Sequence, residues 1–428
     1  MKIVIVTVGS LGDTAPYIGL GVRLRTAGHD VAIAAQEGFA ERVHEAGLEF
    51  RLLPGDIRAD LASENGQRLH QAGSWIQAAP AMMRLASKMF EDLAGGIAEA
   101  ARGADLLLIH RIALMHGQFV AKAMGIPSMV LELFPSGIAP TSEFLPAVFG
   151  AGSLGSWGNR AVYQLLRAST EKSAKLIAKL QDFQKELGLA PITLAEFYRQ
   201  MDLEQWPIYH GFSPTVVPRP KDWRPGLEIV GYFWPEHAPH WKPPAKLVDF
   251  LESGPAPVFI GFGSLVPGER ERLAELIATA VRHAKVRAVV QAGWGSLAID
   301  GATNGAHRDD VLSIGPVPHD WLFPQMAAVV HAGSAGITGA GLRAGVPAVP
   351  IPAMNDQPFW AERLVKLGVA PGALRFQKLS PARLSYFVQQ AVTQPQHRQA
   401  AQRVAECIRT EDGAGRIVEA VERIAASN

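Results

Sequence analysis

The chain has 428 residues, 48% of them hydrophobic and 19% charged, which suits two or three domains with their own cores and excludes a disordered chain. A net charge of +1 gives no electrostatic case for nucleic acid as a partner. The single cysteine, Cys407, excludes an internal disulfide framework and fits a reducing, cytoplasmic setting. No run approaches the ~20 apolar residues of a transmembrane segment, and the amino end lacks a signal-peptide pattern.

Residues 3–8 (IVIVTV) predict a first buried strand. Gly9-Ser10-Leu11-Gly12-Asp13 follows as a glycine-bearing turn, and Pro16 suits the first turn of a helix that ends near Gly28. Residues 31–35 make the next strand. This is a Rossmann-type opening, but the turn lacks G-x-G-x-x-G spacing, which argues against NAD. Residues 39–46 read as a second helix and 50–53 as a third strand. Residues 58–101 are rich in Ala, Met and Leu at helical spacing. There Met82, Met83, Leu85, Met89 and Phe90 either complete the core or line an apolar acceptor pocket, since methionine adapts to varied shapes. Residues 105–110 and 128–133 are further strands. Residues 134–157 are loop-like, with Pro135, Pro140, Pro146 and several aromatics including Phe144, and such loops commonly select substrates. Residues 160–187 and 194–200 read as helical.

The character changes over 209–241, where Pro214, Pro218, Pro220, Pro225, Pro235 and Pro239 point to a last strand and then a linker. A new α/β pattern starts at Val258-Phe259-Ile260-Gly261-Phe262-Gly263-Ser264. A helix over 269–283 and strands over 287–291 and 311–314 follow. The repeat of strand, small-residue turn and helix at Gly9 and Gly261 predicts two similar domains. Residues 382–394 and 396–426 are terminal helices.

The most informative stretch is 329–359, VVHAGSAGITGAGLRAGVPAVPIPAMNDQPF. A strand over 327–330 closes at His331. Gly333, Ser334, Ala335 and Gly336 then allow a tight turn and close approach of a ligand. A helix over 337–344 stops at Gly345. A strand over 348–352 leads to Asn355, Asp356 and Gln357. The first helical turn offers unpaired N–H groups and a positive dipole end. His331 and the Asp-Gln pair both leave strand carboxyl ends, where open α/β sheets bind ligands. Such a rim fits a diphosphate at one end and a sugar at the other. An ordinary βαβ unit with a glycine-eased turn fits equally.

His319-Asp320-Trp321-Leu322-Phe323-Pro324, His331-Ala332-Gly333-Ser334-Ala335-Gly336, Gly345-Val346-Pro347 and Asp356-Gln357-Pro358-Phe359-Trp360, in that order, resemble the donor-binding signature of UDP-dependent glycosyltransferases. The branch most similar is the bacterial antibiotic and sterol glucosyltransferases. The resemblance implies an α/β architecture of the GT-B type, two facing Rossmann-like domains with a cleft between them. The corresponding division is an acceptor-binding domain over 1–215, a linker over 216–241, a nucleotide-sugar-binding domain over 242–395, and a C-terminal helix over 396–428 that crosses back.

The same resemblance implies an inverting hexosyltransferase that needs no cofactor or metal. Its co-substrate is UDP-glucose or a dTDP-sugar, its acceptor is a hydrophobic small molecule, and no protein partner is implied. Asp13 is then the general base, or else a helix N-cap. His331, Gly333, Ser334, Ala335 and Gly336 hold the diphosphate, with Gly263 and Ser264 as further donors. Asp356 and Gln357 bind sugar hydroxyls, or form a solvated loop. Trp294, Val317 and Trp321 wall the base pocket, with packing as the alternative for both tryptophans. Apart from the resemblance, the stretches 81–90 and 134–149, rich in Met, Leu, Phe and Pro, point to an apolar acceptor pocket that includes Met82, Met83 and Phe144, or else complete the core. Plant members carry a Glu eight residues after the motif histidine to bind the ribose. Gly339 stands there, which leaves UDP against dTDP open. The thirteen histidines form no metal-ligand spacing, and His110 and His116 read as structural.

Overall fold

The computed structural model describes residues 1–71, 75–170, 174–235, 240–263, 270–293 and 310–427. Two parallel sheets organise it. The first has seven strands in the order β3-β2-β1-β4-β5-β6-β7. These are β1 (Lys2–Val6), β2 (Asp30–Ala35), β3 (Glu49–Leu52), β4 (Leu106–His110), β5 (Ser128–Glu132), β6 (Ile208–His210) and β7 (Leu227–Ile229). The second has five, in the order β10-β9-β8-β11-β12. They are β8 (Val258–Gly261), β9 (Ala288–Gln291), β10 (Val311–Ile314), β11 (Ala328–His331) and β12 (Ala348–Pro350). The central strands are buried on both faces, which is why they read as unbroken apolar runs.

Each sheet reverses its winding once. In the first, β1 lies between β2 and β4, so the chain leaves the carboxyl ends of β1 and β4 in opposite directions. In the second, β8 lies between β9 and β11. These reversals open the crevices in which doubly wound sheets bind ligands. The crevice of the first sheet lies between the turn after β1 and Arg111 after β4. That of the second lies between Gly263 after β8 and His331 at the end of β11.

Some sequence expectations shift. The first helix is Leu11–Thr26, so Pro16 sits inside it and not in its first turn. Lacking an N–H, Pro16 leaves the Gly12 carbonyl without its helical partner. Residues 227–229, inside the stretch read as a linker, form β7 and pair with β6. This is an edge strand, where neighbouring prolines are tolerated. The terminal helical stretch breaks at Glu411 and Asp412 into Pro395–Thr410 and Gly413–Ser427. The former packs on the second domain through Ala401, Val404 and Ile408. Only the latter reaches the first sheet, where Ile417 and Val421 join Ile3, Ile5 and Leu24. The two domains also meet through one apolar cluster that includes Phe144, Phe212, Phe359 and Trp360.

Candidate active site

The first lip of the cleft follows β1. Ser10, with extended backbone, is the N-cap of the first helix, and Asp13 is the third helical residue. Asp13 Oδ2 accepts from Ser10 N at 2.7 Å and from Ser10 Oγ at 2.9 Å. Asp13 is therefore the returning carboxylate of a capping box and not the cap itself. Those two bonds fix its rotamer and occupy one oxygen. Oδ1 has no partner among the described residues. Gly9, at φ +140, lets the carboxylate fold back onto the turn, because a Cβ at Gly9 would collide with it.

β4 supplies the other side of this lip. His110 is buried, its ring centroid 5.5 Å from that of Tyr17, whose hydroxyl donates to Leu131 O at 2.9 Å. Burial lowers the His110 imidazole to about 4 despite the nearby Asp13 charge. His116 lies between Phe90 and Phe183, with Nε2 3.1 Å from Phe90 O, and burial lowers it to about 4. Next along the chain from His110, Arg111 places its guanidinium 5.1 Å from the centre of the Phe134 ring. Sequence reasoning passed over Arg111. A signal was present, since it is a charge directly after the all-buried strand LLLIH, at a strand's carboxyl end.

The second lip is built on β11. His331 pairs with Gly261 on one side and Pro350 on the other. Its Nδ1 accepts from Gly333 N at 3.0 Å. An N–H donor there requires a lone pair on Nδ1, so the proton resides on Nε2. Burial, with the neighbouring His319 adding to it, lowers His331 to about 3, so the ring is neutral and offers an N–H and not a charge. Gly333 adopts φ +88, and a Cβ there would lie 3.2 Å from Gln357 O. Glycine is thus required both for the turn and for the approach of the next loop. Ser334 is the extended N-cap of helix Ala335–Ala344, and its side chain caps nothing. That leaves the first-turn N–H groups at the cleft. A Cβ on Gly336 would meet only Gly12 O, at 4.0 Å.

Asp356 and Gln357 open the helix Gln357–Lys366. Asp356 Oδ2 accepts from Trp360 Nε1 at 2.8 Å. Burial raises its carboxyl to about 6; the Trp360 bond opposes this, and the Asp13 charge adds to it. Gln357 Oε1 accepts from Ala353 N at 2.8 Å and Met354 N at 3.2 Å. Its carbonyl therefore stabilises the loop itself, and its amide N–H groups are what it can present to a ligand. The approach of Gly336 to the Gly12 carbonyl brings the two lips together.

The other expected residues divide. Gly263 adopts φ +59 with Gly293 packed against its carbonyl, while Ser264 and Trp294 lie outside the described residues. Val317 is buried in the core beside Ile314 and Leu322, so it offers little surface to a base. Trp321 is half-buried, its ring centroid 5.5 Å from that of Trp241 in an edge contact. Met83 is exposed, and the side chain of Met82 lies outside the described residues. Phe144, expected in the acceptor pocket, lies in the core between the domains. It is buried against Phe359 (5.8 Å, edge-on) with the Arg363 guanidinium 5.7 Å from its ring centre. Ala151 N donates to Glu362 Oε2 at 2.8 Å, so this loop joins the domains. Gly339 faces the Tyr232 ring, where a Cβ would come within 2.7 Å, so no glutamate fits there. Among the described residues no group of three His, Cys, Asp or Glu could hold a metal ion, and no helix is long and apolar enough to cross a membrane.

Comparison with known proteins agrees with this architecture. Residues 3–135 match the glycosyltransferase family 28 N-terminal domain, and residues 301–424 match the C-terminal domain of the erythromycin biosynthesis protein CIII-like family. A sterol 3-beta-glucosyltransferase of Arabidopsis thaliana is 33% identical over 98% of this chain and 65% of its own length. The chain thus spans just under two thirds of that relative. The O-mycaminosyltylonolide 6-deoxyallosyltransferase of Streptomyces fradiae is 32% identical over 96% of this chain and 95% of its own. The crystal structure of the calicheamicin glycosyltransferase superposes with a TM-score of 0.71 at 19% identity, covering 99% of this chain and 97% of that one. Two facing Rossmann-like domains of the GT-B type, together with similarity over nearly the whole length of the Streptomyces enzyme, make this chain a member of the family 28 and CIII-like glycosyltransferases.

Proposed function

We propose that this protein is an inverting hexosyltransferase that moves glucose from UDP-glucose to a hydroxyl of a hydrophobic small molecule such as a macrolide, polyketide, flavonoid or sterol. The observation that carries the reading is the opposition of Asp13 on one lip to His331 and Asp356 on the other, each at a strand's carboxyl end. Names of relatives support the acceptor class: one is named for a sterol, another for O-mycaminosyltylonolide.

In this reading the acceptor hydroxyl loses its proton to Asp13 Oδ1 as its oxygen attacks the anomeric carbon. The attack comes from the face opposite the diphosphate, so the configuration inverts. The bond from that carbon to the diphosphate oxygen breaks in the same step. His331 Nε2–H and the first-turn N–H groups of helix Ala335–Ala344 meet the charge growing on the leaving group. Asp356 and the Gln357 amide hold sugar hydroxyls. A neutral imidazole and a helix end then do what a divalent cation does elsewhere, and the donor is a co-substrate, with no cofactor.

A nucleotide-sugar epimerase and a non-catalytic nucleotide-sugar-binding protein are the competing readings. Binding alone gives no reason to fix a carboxylate at Asp13. The test is incubation with radiolabelled UDP-glucose, and in parallel dTDP-glucose, with a panel of lipophilic alcohols. Nucleotide release that depends on acceptor is the expected result. Release without any glycosylated product, or sugar interconversion, removes the reading.

A further inference from the structure

Arg111 has no use in the reaction as just described. Two other half-buried arginines, Arg224 and Arg219, are well engaged. Arg224 donates to Asp202 Oδ1, Met201 O and Trp206 O, at 3.2, 3.1 and 3.1 Å. Arg219 donates to Leu227 O at 2.9 Å and Arg224 O at 3.0 Å. Arg363 has an unpaired buried Nε, but the Glu143 and Glu362 charges act on it. The Nε of Arg111 is buried without a hydrogen-bond partner, and among the described residues its side chain makes no ion pair.

A buried guanidinium Nε in this state is costly, because its N–H has lost water and gained no partner, while the half-buried terminal nitrogens remain open to a ligand. Its position says what could repay that cost. Arg111 follows β4, at the reversal point of the first sheet, directly across the crevice from the turn that carries Asp13. β4 pairs directly with β1, and His110 next to Arg111 lies 5.5 Å from Tyr17 of the helix that carries Asp13; the Arg111 and Asp13 charges both act on His110, Tyr17 and Asp356. The guanidinium lies over the Phe134 face, which leaves its in-plane donors for a ligand. The donor diphosphate already has a cradle on the other domain.

We propose that Arg111 determines acceptor specificity: its guanidinium binds an anionic oxygen group on the acceptor, such as a carboxylate, carried on an otherwise apolar body beside the hydroxyl that Asp13 deprotonates. This rests on the glycosyltransferase reading of the cleft and narrows it, from any lipophilic alcohol to acidic amphiphiles. A carboxylate matches the guanidinium fork, and such charge-assisted bonds are stronger than neutral ones.

The experiment uses the full chain, UDP-glucose and matched acceptor pairs, each a lipophilic hydroxy acid and its methyl ester. The wild type should favour the acid in kcat/KM by about ten-fold or more, the size expected for one charge-assisted contact. In Arg111→Met the ratio should fall to near one, with the rate on the ester and the affinity for UDP little changed. Arg111→Lys, which retains charge without the fork, should lie between. Three outcomes overturn the proposal: no preference in the wild type, an equal loss on acid and ester in the variants, or a loss of UDP affinity with the preference intact. If the wild type glycosylates neither compound of any pair while releasing no nucleotide, the glycosyltransferase reading itself has failed.

Discussion

Gly336 of the second domain faces the Gly12 carbonyl of the first across a gap that only a missing side chain holds open, a Cβ there standing 4.0 Å from that oxygen. Gly12 O is free to face the gap because Pro16, four residues on, has no N–H to give it. On one side of the gap lies the turn that fixes Asp13, on the other the first turn of the helix behind His331. The two halves of the candidate site therefore meet at a pair of small residues.

Filling that gap should block the donor without harming the fold. Gly336→Leu should leave thermal stability equal or raised by ~0.5–1 kcal/mol, since glycine is a poor helix former. UDP affinity should fall at least ten-fold. Calorimetric titration and thermal melts decide it, and unchanged UDP binding would place the diphosphate elsewhere.

Asp13→Asn keeps the shape of the capping box but removes the base. Turnover should fall by about 10²–10⁴-fold, the usual weight of general base catalysis, while the affinity for UDP-glucose changes little. A variant that retains near-normal turnover rules Asp13 out as the base.

Asp356 predicts a pH dependence specific to the sugar. Burial has raised its carboxyl to about 6, so it takes up a proton below that pH and loses acceptor capacity for a hydroxyl. Affinity for UDP-glucose should weaken as the pH falls from 7 to 5, while affinity for UDP does not follow. Asp356→Asn should start weak and lose this dependence. Parallel loss for both ligands in the wild type contradicts the assignment.

Acid should destabilise the fold through its buried histidines. His110 and His116 are held near 4 and His331 near 3, against 6.5 when free, so between about pH 6.5 and 4 the unfolded chain binds protons the native chain refuses. Their contribution is complete above 6.5 and is lost as the pH falls, by at most ~1.4 kcal/mol per pH unit for each. Asp356, raised above its free value, acts in the opposite direction. Urea unfolding between pH 7 and 5 measures the net slope. His116→Gln should flatten it without touching UDP affinity.

Phe144→Ala should cost ~3–5 kcal/mol as a buried aromatic truncation, and should leave the ranking of acceptors unchanged, because the ring joins the domains at Phe359. A reordered acceptor panel with unaltered stability would return Phe144 to the acceptor pocket.

Local chemistry was enough for much of this protein. Apolar runs such as 3–6, 106–109 and 328–330 must be buried strands wherever they pack. A turn of Gly333, Ser334, Ala335 and Gly336 between a strand and a helix must expose backbone N–H groups. His331, Asp356 and Asp13 at strand carboxyl ends followed from the same local order, as did two domains from the pattern repeated at Gly9 and Gly261. What depended on distant contacts could not be read that way. The tautomer of His331 is set by one bond from Gly333, and the use of Gln357 Oε1 by the fold of its own loop. Phe144 and Phe359 are 215 residues apart and share one interface. The orphaned state of Arg111 is defined by partners that do not arrive, and only the packed chain shows which side chains could have reached it. Composition and periodicity report whether a residue is buried; which partner it meets there is decided when two separately wound sheets close on one another.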